Sequence, residues 1–372
     1  MPVFFVNWEG VLMKKIIVFA LALLCLVGCS DSKTTVDDDP IEKYGSDVLN
    51  VFNWGEYIGE DVIANFEEEY GVKVNYSMFD SNEILYTKLL GGTSYDVIVP
   101  SDYMIERLME EGMLQPLDYS YMTNLDDLDP GVVALRDEYD PDGVYSMPYF
   151  WGSVGLIYNK KNVDVNKLEE LGWNILKDTE YADRIFMYDS ERDSFMVALK
   201  ALGYSMNTTN ENEIQAAFNW LVEQRKTMDP TYATDDSIDN MKNGEKALCV
   251  MYSGDAAYIL SENENMRYYA PDEGTNYFVD AMVIQKGAKN VENAYKFMNY
   301  ITDYDAAFEN SLYVGYASVN KEVLRDLTLP DGDFDGNEAY IPRDRNSHDE
   351  VFHNNEKQLA TISELWVKVK NH

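Results

Sequence analysis

From residue 48 onward, strand-like and helix-like stretches alternate at short pitch, and this alternation limits the fold more than any other feature of the chain. Val48-Leu49-Asn50-Val51-Phe52 reads as a short strand. Val62, Ile63, Phe66 and Tyr70 then recur at helical spacing, with Gly71 at a C′ position. Val72, Val74, Tyr76 and Met78 alternate as in a half-buried strand. Residues 82–90 are helix-like and end at Gly91-Gly92, 95–100 form a buried-type strand, and 101–111 a further helix. This repeat predicts an α/β fold with a largely parallel sheet. A second α/β region follows the aromatic run 145–151, with helices over 191–202 and 211–226 and a strand over 247–252. A strand at 278–284 and a helix at 291–301 read as material returning to the first region, and a helix over 354–370 closes the chain. A length of 372 residues suits about two domains.

The chain carries 66 Asp and Glu against 30 Lys and Arg, a formal net charge of −36. Such an excess repels phosphate and argues against a nucleic-acid partner, while it is compatible with a cationic ligand. With 46% hydrophobic residues, including 28 Tyr, 15 Phe and 6 Trp, disorder does not explain the charge. The cysteines are Cys25, Cys29 and Cys249, and the first two fall in the N-terminal apolar stretch. The body therefore holds one thiol, read as a packed core residue, and has no Cys/His cluster for zinc or iron–sulfur. His348, His353 and His372 all lie near the C-terminus, which disfavours a histidine-based hydrolase. No enzyme, metal or cofactor is expected.

Met13-Lys14-Lys15 opens a charged n-region, and the apolar segment Ile16 to Val27 has signal-peptide length. It ends in Leu26-Val27-Gly28-Cys29, which resembles a bacterial lipobox with Cys29 as the lipidated mature N-terminus. An ordinary signal peptide with an incidental Cys is the competing reading. Residues 13–28 are thus expected to be a lipoprotein signal peptide and 29–47 a flexible tether. Trp8-Glu9-Gly10 requires a purine-rich codon run a few nucleotides before the Met13 codon, like a ribosome-binding site. Met13 is accordingly the expected start, with 1–12 an upstream leader. Removing Lys14, Lys15 and Glu9 with residues 1–28 takes away two positive charges and one negative, leaving −37. The acidity belongs to the body.

Several strand ends pair aromatic residues with carboxylates, the mixture that suits small organic cations: ring faces attract ammonium groups and carboxylates pair with them. Asn53-Trp54-Gly55-Glu56-Tyr57 follows the first strand, and Ser101-Asp102-Tyr103 follows Val99-Pro100. Tyr252-Ser253-Gly254-Asp255 and Tyr277-Phe278-Val279-Asp280 complete the set. In open α/β sheets, ligands bind beyond the carboxyl ends of strands. Rim packing competes for each aromatic, and helix N-capping competes for Asp102 and Asp255.

In this order, the segments Val51-Phe52-Asn53-Trp54-Gly55-Glu56-Tyr57-Ile58, Phe79-Asp80-Ser81-Asn82-Glu83, Tyr95 to Tyr103, Met147-Pro148-Tyr149-Phe150-Trp151-Gly152, Leu202-Gly203-Tyr204-Ser205 and Val314-Gly315-Tyr316-Ala317 resemble the spermidine/putrescine-binding proteins of bacterial ABC importers. The resemblance covers nearly the whole body. It implies a two-lobed periplasmic-binding-protein-like fold of type II, with the ligand enclosed between lobes by hinge closure. The lobes would be 48–148 plus 276–317, and 149–275 plus 318–372. It further implies a monomeric, lipid-anchored receptor on the outer face of the cytoplasmic membrane (periplasmic in a Gram-negative cell), partnered by permease subunits. By the same resemblance Trp54, Tyr57, Ser101 and Tyr103 are first-lobe walls and polar contacts. Asp193 matches an acidic amine-binding position, Tyr252 stands where the family usually has Trp, and Asp255 matches an acidic position of the putrescine-type members. Phe278 and Asp280 match a Trp-x-Asp pair, Asp280 clamping one ammonium, and Tyr316 closes the other side. Ser190 stands where some members carry a second Asp, Gly55 replaces a hydroxyl residue, and a C-terminal Gln has no counterpart near Phe352-His353. The choice between spermidine and putrescine stays open. A receptor for another small cation, a sugar or a peptide, and a carbohydrate-active lipoprotein with Trp and Tyr platforms beside paired carboxylates, are the alternatives.

Overall fold

The structure, a computed structural model, describes residues 46–234, 236–341 and 343–372. The leader, the signal peptide, Cys29 and all of the tether before residue 46 lie outside the described residues. Among the described residues eleven strands are seen: β1 (Val48–Trp54), β2 (Lys73–Phe79), β3 (Val97–Ile98), β4 (Leu114–Gln115), β5 (Ser146–Asn159), β6 (Ile185–Tyr188), β7 (Thr231–Ala233), β8 (Leu248–Tyr252), β9 (Met266–Tyr269), β10 (Tyr277–Gln285) and β11 (Ala317–Ser318). They run in the order β2-β1-β3-β10-β5-β8-β6-β7, with β4 beside β10 and β9 and β11 beside β5.

The expected strand–helix repeat is present at the start of the body. β1 pairs in parallel with β2 and β3, and the helices Val62–Tyr70, Asn82–Leu90 and Asp102–Glu110 connect or follow them. Gly71 ends the first helix at φ 67, donating its N–H to Glu67, a left-handed conformation that costs glycine nothing. The alternation expected along β2 breaks at its end: Met78 is 63% exposed and Phe79 2%. In-register pairing puts Phe79 opposite Trp54, so it shares the face of Phe52 and Trp54 and packs on their rings at 4.8 and 4.6 Å.

The sheet is less parallel than the repeat suggests. β10 runs antiparallel to β3 and β5, and β5 antiparallel to β8. These strands return from another part of the chain, so no helical crossover forces them parallel. The aromatic run does not precede the second region but lies inside β5, which serves both. Its first half, through Ser153, pairs with β10, and Val154 to Asn159 pair with β8 and β9. The molecule accordingly has two lobes. One core gathers β1, β3, β10 and residues such as Phe66, Ile105, Tyr149 and Phe297. Another gathers Leu156, Trp173, Phe195, Leu221 and Trp366 around β6 and the second half of β5. A satellite cluster packs Ile157, Cys249 and Met251 against Ala307, Val323, Leu327 and Tyr340.

Asp96, 2% exposed, fastens the first lobe. Its carboxylate accepts from the backbone and side-chain amides of Asn50, both at 2.8 Å. It also accepts from the N–H groups of Lys289 and Asn290 at 3.0 Å and from Asn290 Nδ2 at 2.9 Å. One carboxylate thus ties β1 to the entry of the helix Val291–Thr302.

Cys249 is buried at 1% exposure, and burial pushes its thiol up to about 12. Since the thiolate is the reactive form, Cys249 is expected to resist thiol reagents in native protein and to label fully in denaturant. Stoichiometric labelling of folded protein, counted by mass, would contradict this placement. Among the described residues no helix is long and apolar enough to cross a membrane.

Candidate functional site

The site grows from an irregularity between β5 and β10. Asp280 pairs with Phe150 while Ala281 pairs with Pro148, so the register skips Tyr149. Such bulges re-aim side chains. On its other side Asp280 forms an isolated bridge with Ser101, and Ala281 N–H donates to Pro100 O at 3.1 Å. Asp280 is therefore held between the shared strand and the turn that opens the helix Asp102–Glu110.

Its carboxylate is only half satisfied. Tyr57 Oη donates to Oδ2 at 2.7 Å, whereas Oδ1 is buried with no hydrogen-bond partner. Burial raises the Asp280 carboxyl to about 6, against the lowering effect of the Ser101 and Tyr57 hydroxyls. A buried acceptor left open costs free energy unless something charged or donating meets it.

From Tyr57 a row of rings leads away from Asp280. Tyr57 meets Tyr316 edge-on at 5.4 Å, Tyr316 meets Phe278 at 6.0 Å, and Phe278 meets Tyr252 at 5.4 Å with the planes 87° apart. Tyr252 Oη is 3.1 Å from both carboxylate oxygens of Asp193. Asp280 and Asp193 thus stand at the two ends of one aromatic row, a geometry matched to a chain with a cation at each end. Asp193 is 3% exposed; it lies in the first turn of the helix Glu191–Ala201, capped by Ser190. Burial raises its carboxyl, countered by Ser190, Tyr252 and the Arg192 charge.

Asp255, half-buried in the first turn of the helix Ser253–Glu262, faces Tyr316. Burial, followed by the charge of Asp255, raises the Tyr316 phenol well above its ordinary value. Tyr316 can reach the row only because residue 254 is glycine: a Cβ there would come within 2.2 Å of its ring. Neither Asp102 nor Asp255 is an N-cap; those positions belong to Ser101 and Tyr252. Asp102 is 1% exposed; its Oδ1 accepts from Tyr103 N–H at 2.7 Å.

Of the residues expected from sequence, Tyr57, Asp193, Tyr252, Phe278, Asp280 and Tyr316 form this one constellation, with Ser101 bridged to Asp280 and Asp255 beside Tyr316. Trp54 packs on Phe79 in the first lobe, its Nε1 buried without a partner. Tyr103 is already engaged: its hydroxyl accepts from Asn82 Nδ2 at 3.0 Å, and the Arg192 guanidinium covers its ring at 3.8 Å. Sequence reasoning missed Tyr149 and Phe150, whose rings back Tyr57 at 5.6 and 5.2 Å, and Tyr188, edge-on to Tyr252 at 5.0 Å. Tyr149 and Phe150 lie in one of the segments that carry the resemblance, and Tyr188 had no signal beyond being an aromatic residue near a strand end. Among the described residues no group of three or more His, Cys, Asp or Glu could hold a metal ion.

Comparison with known proteins gives concordant matches. The profile of the bacterial extracellular solute-binding protein family matches residues 61–333. The spermidine/putrescine-binding periplasmic protein of Escherichia coli is 35% identical over 301 residues, covering 77% of this chain and 84% of that protein. The putrescine-binding periplasmic protein of the same organism is 31% identical over 288 residues, covering 73% and 78%. Among solved structures, a putative spermidine/putrescine ABC transporter protein from Listeria monocytogenes aligns with a TM-score of 0.76 at 38% identity, over 87% of this chain and 99% of that one. A spermidine/putrescine ABC transporter substrate-binding protein from Streptococcus pneumoniae gives 0.72 at 33%, over 88% and 99%. These relatives are solute-binding transport proteins, not enzymes, in agreement with the sequence reading.

Proposed function

Because this chain belongs to the bacterial extracellular solute-binding protein family, we propose that it captures polyamines, spermidine or putrescine, and delivers them to the permease of an ABC importer. The observation that carries this reading is the aromatic row with a buried carboxylate at either end, Asp280 with an open Oδ1 and Asp193 held by Tyr252. The names of the relatives support the same ligand class. Ligand contacts are assigned to Tyr57, Ser101, Asp193, Tyr252, Asp255, Phe278, Asp280 and Tyr316, with Trp54 and Tyr103 as first-lobe walls. The lobe division is 48–148 plus 276–317 against 149–275 plus 318–372, except that Tyr149 to Ser153 stay with the first lobe, β5 crossing where its partner changes from β10 to β8. Cys29 is the proposed lipid attachment, which places a monomeric receptor on the outer face of the cytoplasmic membrane.

Micromolar binding needs about −8 kcal/mol. Three or four cation–π contacts at roughly 0.5–2 kcal/mol each and two or three charge-assisted hydrogen bonds at about 1.5–3 kcal/mol each reach that after ordering costs only when most of them lie in the upper half of their ranges. Calorimetry with putrescine, spermidine, spermine and a sugar panel is expected to give micromolar or tighter binding for at least one polyamine and none for sugars. Heat with sugars alone would favour the glycan reading, and silence with every polyamine would end this one.

A further inference from the structure

Arg192 occupies the second position of the helix Glu191–Ala201, where its charge opposes the helix dipole. A side chain placed against its local preference points to a role elsewhere. Its Cζ lies 3.8 Å from the ring centre of Tyr103 and 6.0 Å from that of Phe352, and those two rings meet at 6.4 Å with planes 85° apart. Tyr103 comes from the helix Asp102–Glu110 and packs against both main cores; Phe352 belongs to the second. Arg192 Nε is buried and unpartnered, so ring faces and nearby charge hold the guanidinium. Its charge acts on Asp102 from one lobe and on Asp193 from the other. The same helix continues the seam: Glu106 lies 3.3 Å from His353 Nδ1 and Arg107 2.8 Å from Glu356.

A guanidinium on that face of Tyr103 excludes an ammonium from it, and like charge repels a cationic ligand. Arg192 is therefore badly suited to contact the ligand and well suited to join the lobes. We propose that Arg192 is a positioning residue for ligand capture: stacked on Tyr103, it clasps the helix Asp102–Glu110 to the start of the helix Glu191–Ala201 and holds the cleft closed. The proposal rests on the polyamine reading for its ligands but not for its geometry. A clasp made only when the lobes meet sets the closed fraction, and the apparent dissociation constant varies inversely with that fraction.

The test is Arg192→Gln with Arg192→Lys, measured by calorimetry and stopped-flow release of putrescine and spermidine. Arg192→Gln is expected to raise the Kd of whichever polyamines bind by a common factor of about five to ten, the size of one half-buried cation–π contact, carried by faster release. The unfolding temperature of the ligand-free protein should stay close to wild type, and Arg192→Lys should recover part of the loss. Unchanged Kd and release would overturn the proposal, as would a loss matched by an equal fall in ligand-free stability. If wild-type protein binds no polyamine, the ligand reading falls separately. The clasp then stands or falls on whether Arg192→Gln widens the ligand-free protein in small-angle scattering.

Discussion

Asp280→Asn is expected to weaken polyamine binding at least tenfold, and by as much as about a hundredfold, because it removes the charge partner of a desolvated ammonium. Asparagine keeps an acceptor for Tyr57 Oη, so the loss reports charge rather than shape. Unchanged affinity in calorimetry would show that no ammonium sits at Asp280. The same carboxylate predicts a pH dependence. With Asp280 raised to about 6 in the ligand-free protein, a cation must displace a proton below that pH. Affinity should then fall towards tenfold per pH unit under pH 6, and the Asn variant should lose the part of this slope that begins at pH 6, keeping only what the buried Asp193 contributes at lower pH.

Linkage gives the matching stability effect. The folded value lies above the ordinary 3.8, so the folded state holds the proton more tightly. Asp280 therefore contributes stability below about pH 4, and this contribution is lost as pH rises through 6. A shift of about two pH units corresponds to on the order of 3 kcal/mol. At pH 8 the ligand-free Asn variant should unfold at a higher temperature than wild type while binding worse. A variant less stable at pH 8 would mean that the carboxylate serves the fold and not the ligand.

Asp96→Ala should do the reverse. Five donors from Asn50, Lys289 and Asn290 converge on this carboxylate, and alanine leaves several of them buried and unmet. The expected cost is about 3–5 kcal/mol, read from denaturant unfolding, since each stranded group forfeits roughly 1–3 kcal/mol and some find water. Where the variant is still folded, polyamine affinity should stay within a few-fold of wild type, because Asp96 lies at the amino end of β3 and binds Asn50 in β1, whereas Ser101 and Tyr57 lie beyond the carboxyl ends of those strands. A loss under 1 kcal/mol would show that the network is redundant. Two buried carboxylates thus have opposite roles, one fully hydrogen-bonded within the fold and one left open at the candidate site.

Local periodicity carried most of the fold. The helix at 82–90 and the ends of the helices that begin at Glu191 and Glu211 follow from spacing, caps and glycines close to where they are found. Antiparallel pairing of β10 and β8 with β5 did not follow, because partner choice depends on where a distant segment returns. The site was legible as a set of residue types at strand ends. How each member is held was not: the sequence offers Tyr103 as a first-lobe wall, and it gives no sign that Arg192 covers one face of that ring. Phe79 and Met78 exchange their expected burial for a similar reason, since in-register pairing with Trp54, not alternation, sets the buried face.

The sequence by itself determined the class of fold and a supply of carboxylates and rings suited to cations. Those properties depend on composition and on spacing of a few residues, which are local. Only the tertiary structure decided that Asp280 keeps one oxygen unmet, that four rings lead from it to Asp193, and that Arg192 joins the lobes. Each of these depends on side chains distant in sequence, Tyr57 and Tyr316 among them, and the pairing of β5 and β10 across a bulge places Asp280 among them. The burial that results gives ordinary carboxylates their raised affinity for protons, and on the reading proposed here their affinity for a diamine.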